Sequence, residues 1–143
     1  MKSGSNAAID KVISRFFGVF DNRAGRVPEA QAFGMLFASN ATIATHSGRG
    51  VQITTPDEFV RPRIELLTSG RLVEFHEWET QSENEILGSL AVRRSRYEKS
   101  GRLDGQPYAG VGTKFFQLAQ IDEAWRIVSL AWIDDAAFGS RQT

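Results

Sequence analysis

The sequence of 143 residues contains no cysteine and only two histidines. The absence of cysteine excludes disulfide bonds, thiolate metal ligands and a cysteine nucleophile. Two isolated histidines do not form a typical zinc site, and the sequence has no glycine-rich dinucleotide loop, Walker motif or nucleophile elbow. We therefore expect neither a metal nor another cofactor.

The chain also has no excess of either charge, because seventeen Lys and Arg residues balance seventeen Asp and Glu residues. Proteins that bind nucleic acid usually carry a basic excess, so we expect no nucleic-acid partner. The polar N-terminal stretch MKSGSNAAID lacks the apolar core of a secretory signal, and no later apolar run reaches the length of a membrane span. These features predict a soluble, cytoplasmic protein with no membrane partner.

What the sequence does contain is typical of a folded globule. Hydrophobic residues make up 41% of the chain, and ten residues are phenylalanine. A chain of this length buries enough apolar surface to form a core without covalent cross-links. We expect one domain over residues 1–143.

Three helices are predicted in the first half of the chain. Residues 7–20 have apolar side chains at the i, i+3, i+4 and i+7 spacing of an amphipathic helix with one buried stripe. A second, shorter helix is expected to begin at Pro28 and end near Phe37. A third is capped by Thr55 and runs to about Leu67.

The rest of the chain has the pattern of β-strands. A short β-branched strand is predicted at 41–45, and long strands at 71–81, 86–99, 111–121 and 125–133, with turns that include 82–85 and 122–124. Helices followed by a run of strands indicate an α+β fold, in which the helices cover one face of an antiparallel sheet.

This order of elements, with the stretches MLFASNATIATHSG (35–48) and QLAQIDEAWRIVSLAW (117–132), resembles the NTF2-like superfamily. That group includes steroid delta-isomerase, SnoaL-type polyketide cyclases and scytalone dehydratase. The resemblance covers nearly the whole chain. It implies an NTF2-like cone, also called a cystatin-like α+β roll, with three N-terminal helices packed on a strongly curved antiparallel sheet around an apolar pocket. It also implies a homodimer that packs through the convex face of the sheet.

The isomerases of this family use three pocket groups: a carboxylate base after the first strand, a tyrosine on the first helix and a protonated aspartate on the penultimate strand. At the matching positions this sequence has Thr45 or His46, Phe16 and Gln117. All three positions depart from the isomerase set, so steroid isomerisation by the standard mechanism is not expected. Related cyclases and the dehydratase use other acids and bases, including histidine.

Two histidines are therefore the candidate catalytic bases. His46 lies just beyond the first strand, where the family places its base, and the unperturbed pKa of histidine suits proton transfer near neutral pH. The alternative for His46 is an exposed loop residue. His76 lies in the stretch EFHEWE (74–79), on a predicted strand.

The surroundings predicted for His76 depend on the register of that strand. A four-residue turn at 82–85 would place Glu74 opposite Arg93, and His76 and Trp78 opposite small residues. Small residues beside polar groups are typical of a ligand site. A solvated or dimer-facing surface is an equal alternative, and a shift of one residue would reverse the faces.

Three further predictions concern binding. The arginines of VRRSRYEK (92–99) either bind a phosphate or carboxylate or pair with the acids of 74–79, and cross-strand pairing is favoured. Gln117 and Trp132 are expected on adjacent strands of the last hairpin, as pocket wall. The candidate substrate-binding residues are Phe16, Thr45, Trp78, Gln117 and Trp132.

The predicted function is binding of a small, largely apolar organic molecule, with a cofactor-independent isomerisation, cyclisation or dehydration by proton transfer. The alternative is a non-catalytic, homodimeric binding or accessory module with the same pocket. A purely structural dimer, with its cone filled by phenylalanines, is a further possibility.

Overall fold

The computed structural model describes residues 4–134, without the side chain of Ser47. Its helices are α1 (Gly4–Gly18), α2 (Ala30–Gly34) and α3 (Pro56–Thr68), with one 3₁₀ turn at Arg23–Gly25. Its strands are β1 (Phe37–Ser47), β2 (Gly50–Thr54), β3 (Leu72–Leu87), β4 (Leu90–Leu103), β5 (Gln106–Ile121) and β6 (Ala124–Asp134). The predicted α+β class, with three helices before four long strands, is confirmed. Within residues 4–134, no helix has the length and apolar character needed to cross a bilayer.

The strands form one open sheet in the order β2-β1-β6-β5-β4-β3. Its neighbouring strands are antiparallel except for β1 and β6, which run parallel. The four long strands are antiparallel as predicted, and the parallel pairing of β1 with β6 makes the sheet as a whole mixed. The α3 crossover and the β3–β6 meander bring the last strand beside the first in the same direction, and local sequence patterns do not encode this long-range pairing.

Several strands also differ from the prediction; β1 begins at Phe37 rather than residue 41, and β5 begins at Gln106 rather than residue 111. The short strand β2, which forms a hairpin with β1, was not predicted. Residues 82–85 are part of β3 rather than a turn, and the chain reverses at Gly88–Ser89, where Gly88 has a φ of 61°. The polar side chains at 82–85 are exposed on β3, which is an edge strand, so the pattern that indicated a turn reflects contact with solvent. The predicted turn at Asp122–Glu123 is confirmed.

The start of α3 and the apolar stripe of α1 occur as predicted. At the start of α3, Thr55 and Glu58 form a capping box, in which the Glu58 N–H donates to the Thr55 hydroxyl at 3.1 Å and the Thr55 N–H donates to the Glu58 carboxylate at 2.9 Å. In α1 the predicted apolar stripe is buried. By contrast, α2 covers only five residues of the stretch predicted as helical.

The inner face of the sheet curves around α1. The ring of Phe16, which is fully buried, lies 5.2 Å from the ring of Phe116 on β5, 6.3 Å from Trp132 on β6 and 6.5 Å from Phe37 on β1. Bulges in β3 and between β5 and β6 interrupt the regular ladders, and bulges bend strands. Aromatic rings therefore fill the centre of the cone.

Candidate functional site

A cleft of about 550 Å³ opens on one side of this aromatic core, between α1 and the strands β3 and β4. Ile13 and Phe17 of α1 contribute its apolar wall. Its polar lining residues are Asp10, Ser14, Asp21, Arg23, Glu77, Glu79, Ser82 and Arg93, together with His76 and Trp78. The lining of this cleft is largely polar, unlike the apolar pocket that the family resemblance implies.

Asn22 holds the mouth of the cleft in place. Its side-chain amide donates to the carbonyl oxygens of Leu67 at 2.9 Å and Leu72 at 2.7 Å, and its side-chain oxygen accepts from the Phe75 N–H at 2.7 Å. These three bonds join the end of α1 to the end of α3 and the start of β3. The residues on either side of Asn22 therefore lie at a fixed position relative to β3.

Arg93 is a buried cation whose charge is fully paired. Its guanidinium donates to Glu79 at 2.5 and 3.0 Å and to Asp10 at 2.7 Å, and the Ser95 hydroxyl donates to the same Glu79 carboxylate. Burial works against the charged form, but bonds to Glu79 and Asp10 outweigh it and raise the pKa of Arg93. This confirms the favoured prediction that Arg93 pairs with an acid of the neighbouring strand.

A second buried cation, Lys99, is also paired. Its ammonium donates to Asp134 at 2.7 Å and to the Tyr108 hydroxyl at 3.2 Å, and the Tyr97 hydroxyl donates to the other oxygen of Asp134. Burial opposes the charge on Lys99, but the attraction of Asp134 outweighs it and raises the pKa of the lysine. The same attraction from Lys99, acting against burial, lowers the pKa of Asp134.

The third buried cation, Lys114, is different because its ammonium has no hydrogen-bond partner within residues 4–134. Lys114 is 0% exposed, and its Nζ lies 3.8 Å from a carboxylate oxygen of Glu77. Aromatic faces surround the rest of it, at 3.2 Å from the Tyr97 ring centroid and 4.0 Å from that of Trp132. Burial lowers the pKa of Lys114 to about 7, although Glu77 acts in the opposite direction.

Glu77 connects this interior charge to the cleft. Its side chain is 4% exposed and the residue lines the cleft, yet among the described residues its only charged contact is the ammonium of Lys114. A buried carboxylate normally accepts several hydrogen bonds. Glu77 therefore retains acceptor capacity at the boundary between the cleft and the core.

His76 and Trp78 line the same cleft. Their rings are stacked with centroids 4.4 Å apart, and within the described chain the buried Nδ1 of His76 has no hydrogen-bond partner. Burial, followed by the charge of Arg23, lowers the pKa of His76. The neutral imidazole is thus favoured near neutral pH, and this form can accept a proton.

The predicted register around these residues is wrong. His76 is paired with Ser100 and Trp78 with Glu98, whereas Arg93 lies opposite Asn84. Glu74 occupies a bulge with a φ of 50° and does not face Arg93. The reason is that the β3–β4 turn lies at 88–89 instead of 82–85, so every pairing is displaced along β4.

The other predicted site residues are divided between the two faces of the sheet. Phe16 and Trp132 are buried in the aromatic core, and Thr45 is paired with Trp132 in the β1–β6 register. Gln117 is exposed on the outer face, where it accepts a hydrogen bond from Ser129 at 2.8 Å. His46 is paired with Val51, an exposed residue, and lines a small apolar depression on that outer face.

Lys114 and Arg63 were not predicted as site residues, and Glu77 was predicted only as a pairing partner for the arginines of 92–99. A signal for Lys114 was present: it alternates with Phe116 and Leu118 in the stretch TKFFQL (113–118), which places a charge in the buried register of a strand. No comparable pattern identifies Arg63. Among residues 4–134, no group of three His, Asp or Glu side chains has the geometry of a metal site.

Comparison with known proteins gives a match at the level of structure only. No protein-family model matches the chain. No curated protein sequence matches it either. Among solved structures, a cystatin-like protein of unknown function from Nostoc punctiforme PCC 73102 is similar with a TM-score of 0.71, at 15% identity over 94% of each chain.

Two other similar structures have more informative descriptions. An NTF2-like superfamily protein from Salmonella enterica serovar Typhimurium LT2 has a TM-score of 0.69 at 15% identity, over 91% of this chain and 92% of that one. A type 2 hexachlorocyclohexane dehydrochlorinase (LinA) has a TM-score of 0.72 at 14% identity, over 92% of this chain and 85% of that one. At these identities the similarity establishes the fold and leaves the activity open.

Proposed function

Because the chain has the NTF2-like fold that the sequence predicted, we propose that it binds a small organic molecule in the cleft between α1 and β3 and catalyses proton transfer without a cofactor. Glu77 is the proposed proton acceptor and His76 the second polar contact to the substrate. The reaction class is isomerisation, cyclisation or elimination. The polar lining of the cleft favours a ligand with polar groups on a small organic body, rather than a wholly apolar one.

The observation that carries this proposal is the incomplete pairing of Glu77. Glu77 lines the cleft, with a side chain 4% exposed and no hydrogen-bond donor to its carboxylate among residues 4–134. A carboxylate in this position can accept a proton from a substrate carbon or hydroxyl group. The ammonium of Lys114, 3.8 Å away, stabilises negative charge on the carboxylate or on a substrate oxygen near it.

A structural neighbour gives secondary support. One similar structure is described as a dehydrochlorinase, and the elimination of hydrogen chloride requires the removal of a proton from carbon. Proton removal of this kind needs a positioned base and no redox cofactor. For the present chain, that chemistry is part of the proposal.

The test is exchange of carbon-bound hydrogen for deuterium. A panel of small ketones is incubated with the protein in D₂O, and loss of the α-proton signal is followed by NMR. We expect exchange above the buffer rate for at least one ketone, and a decrease of about 100-fold or more in Glu77→Gln, because general-base catalysis contributes that much. Glu83→Gln, which removes an exposed acid from the same strand, is the matched control and should exchange like the wild type. Equal rates for Glu77→Gln and the wild type would refute the assignment.

The alternative function, a non-catalytic homodimeric binding or accessory module, is favoured by the outer face of the sheet. Exposed Leu90, Val92 and Val128 line a groove of about 370 Å³ there, and Val111 and Phe115 are further exposed apolar residues of β5. Exposed apolar patches of this kind are typical of protein interfaces. We propose that this face forms the homodimer, and sedimentation of the wild type and of Phe115→Glu tests it. A dimer that becomes monomeric in the variant would support this interface, and a monomeric wild type would exclude it.

A further inference from the structure

We propose that the small molecule bound at this site carries a carboxylate group, which binds Arg63 and Lys114 beside the indole ring of Trp132. This inference rests on the function proposed above. Arg63, Lys114 and Trp132 do not line the cleft themselves, but Glu77, which lines it, lies 3.8 Å from Lys114 and connects the cleft to these residues. The inference is independent of the identity of the proton acceptor, so the two proposals can fail separately.

The first observation is that Arg63 has no acid partner among residues 4–134. Arg63 projects from α3, with its guanidinium carbon 4.7 Å from the ring centroid of Phe59 and 5.2 Å from that of Trp132. It makes no hydrogen bond or ion pair within the described part of the chain. The planar fork of a guanidinium matches the two oxygens of a carboxylate, and stacking on aromatic rings holds the fork in place.

The second observation is the ammonium of Lys114. It is fully buried and lies 4.0 Å from the centroid of the same Trp132 ring, without a hydrogen-bond acceptor among residues 4–134. Aromatic faces attract a cation but do not replace the acceptors that its N–H donors lose on leaving water. A ligand carboxylate would supply such an acceptor.

The third observation is the distribution of charge in the interior. Arg93 uses two carboxylates, those of Glu79 and Asp10, and Lys99 uses that of Asp134. Lys114, which is buried, has the carboxylate of Glu77 at 3.8 Å, whereas Arg63, which is half-buried, has no carboxylate at ion-pair distance among residues 4–134. One additional negative charge would pair with Arg63 and supply the hydrogen-bond acceptor that Lys114 lacks.

The surrounding side chains indicate the body of the ligand. Arg63 and Lys114 are in contact with the rings of Phe59, Trp132 and Tyr97. These surfaces favour a flat, unsaturated or aromatic group next to the carboxylate. Benzoate is the simplest probe with both features, and benzamide is its neutral counterpart of nearly the same shape.

The experiment measures the affinity of the full chain for benzoate and benzamide by NMR titration at low salt. We expect saturable binding of benzoate. The affinity for benzamide should be lower by a factor of about ten or more, since loss of one partner in a charged pair costs at least that factor. Arg63→Gln and Lys114→Met should each weaken benzoate binding by a similar factor. Arg61→Gln removes an exposed arginine from the same helix, where it pairs with Asp57, and should bind like the wild type.

Two results would overturn the inference. One is equal affinity for benzoate and benzamide, with Arg63→Gln no weaker than Arg61→Gln. The other is the absence of saturable benzoate binding in the wild type. Glu77→Gln separates this inference from the proposed function, because it should abolish ketone exchange while it leaves benzoate binding intact or stronger.

Discussion

Two buried charged clusters face the interior of the sheet, and they differ in how completely their charges are satisfied. Around Arg93, the guanidinium contacts Glu79 and Asp10 at hydrogen-bond distance. Around Lys114, the nearest carboxylate is 3.8 Å away and the remaining neighbours are aromatic rings. Both cations are almost fully removed from solvent, with 5% and 0% exposure respectively.

The difference separates a structural role from a binding role. A buried ion that is fully hydrogen-bonded fixes the elements that provide its partners, here α1 and β3 on β4. A buried ion without acceptors destabilises the free protein, and a ligand that supplies an acceptor relieves this cost. The account therefore assigns the Arg93 cluster to the fold and the Lys114 cluster to function.

The largest effect is expected on removal of Arg93. Arg93→Met leaves the carboxylates of Asp10 and Glu79 close together and without their cation. We expect a loss of about 3–5 kcal/mol in the free energy of unfolding, measured by urea denaturation, because breaking a buried pair leaves uncompensated charge. Arg94→Met is the control, since the exposed Arg94–Glu83 pair should contribute about 0–1 kcal/mol. Similar losses in the two variants would show that the buried ion pairs of Arg93 contribute no more to stability than the exposed Arg94–Glu83 pair.

Replacement of Lys114 together with its partner Glu77 is expected to raise the free energy of unfolding rather than lower it. The pKa of Lys114 is about 7 in the folded protein and 10.5 in the unfolded chain. Below pH 7 the lysine is charged in both states, so the cost of burying its charge lowers the free energy of unfolding by the full amount. Between pH 7 and 10.5 the unfolded state binds more protons at this lysine, and its contribution to stability becomes less unfavourable as the pH rises. The double variant Lys114→Met/Glu77→Gln, which removes both members of the buried pair, should therefore be about 1–4 kcal/mol more stable than the wild type at pH 6.

Urea denaturation of this variant and of the wild type at pH 6 and pH 9 checks that prediction. The stability advantage of the double variant should shrink at the higher pH. A variant that is less stable than the wild type at pH 6, or a difference that does not change with pH, would indicate that the ammonium already has good partners in the free protein.

A smaller loss of stability is expected on substitution of Asn22. Its side chain makes several hydrogen bonds, as that of Arg93 does, but it carries no charge. Asn22→Ala leaves the Phe75 N–H and the carbonyl oxygens of Leu67 and Leu72 without their partners. We expect a loss of about 2–3 kcal/mol in urea denaturation, typical of buried polar groups left unsatisfied. Gln52→Ala, at an exposed position on β2, should have little effect. Stability unchanged in Asn22→Ala would mean that water replaces the side chain and that Asn22 does not fix the cleft.

The sequence predicts the elements of this fold better than the positions of its charges. The amphipathic stripe of α1 and the cap at Thr55 depend on local spacing, and both occur as predicted. The β3–β4 register depends on where the chain turns, and the polar stretch 82–85 indicated the wrong place because it is exposed on an edge strand. That single displacement separated Glu74 from Arg93.

The candidate site was predicted only in part for the same reason. His76 and Trp78 do line the cleft, whereas Gln117 lies on the outer face, because the side chains of a strand alternate and a family position does not fix which face a residue occupies. The proximity of Arg63 to Trp132 joins α3 to β6, and no local pattern encodes contacts between such distant segments.

The central claim is that Lys114 lacks a hydrogen-bond acceptor until a ligand supplies one, and NMR titration of its side-chain ammonium tests this most directly. The signal is assigned by comparison with Lys114→Met, and the titration is repeated in the presence of benzoate. The account predicts a pKa of about 7 in the free protein and a higher value when benzoate is bound. An ordinary lysine pKa in the free protein, unchanged by benzoate, would contradict it.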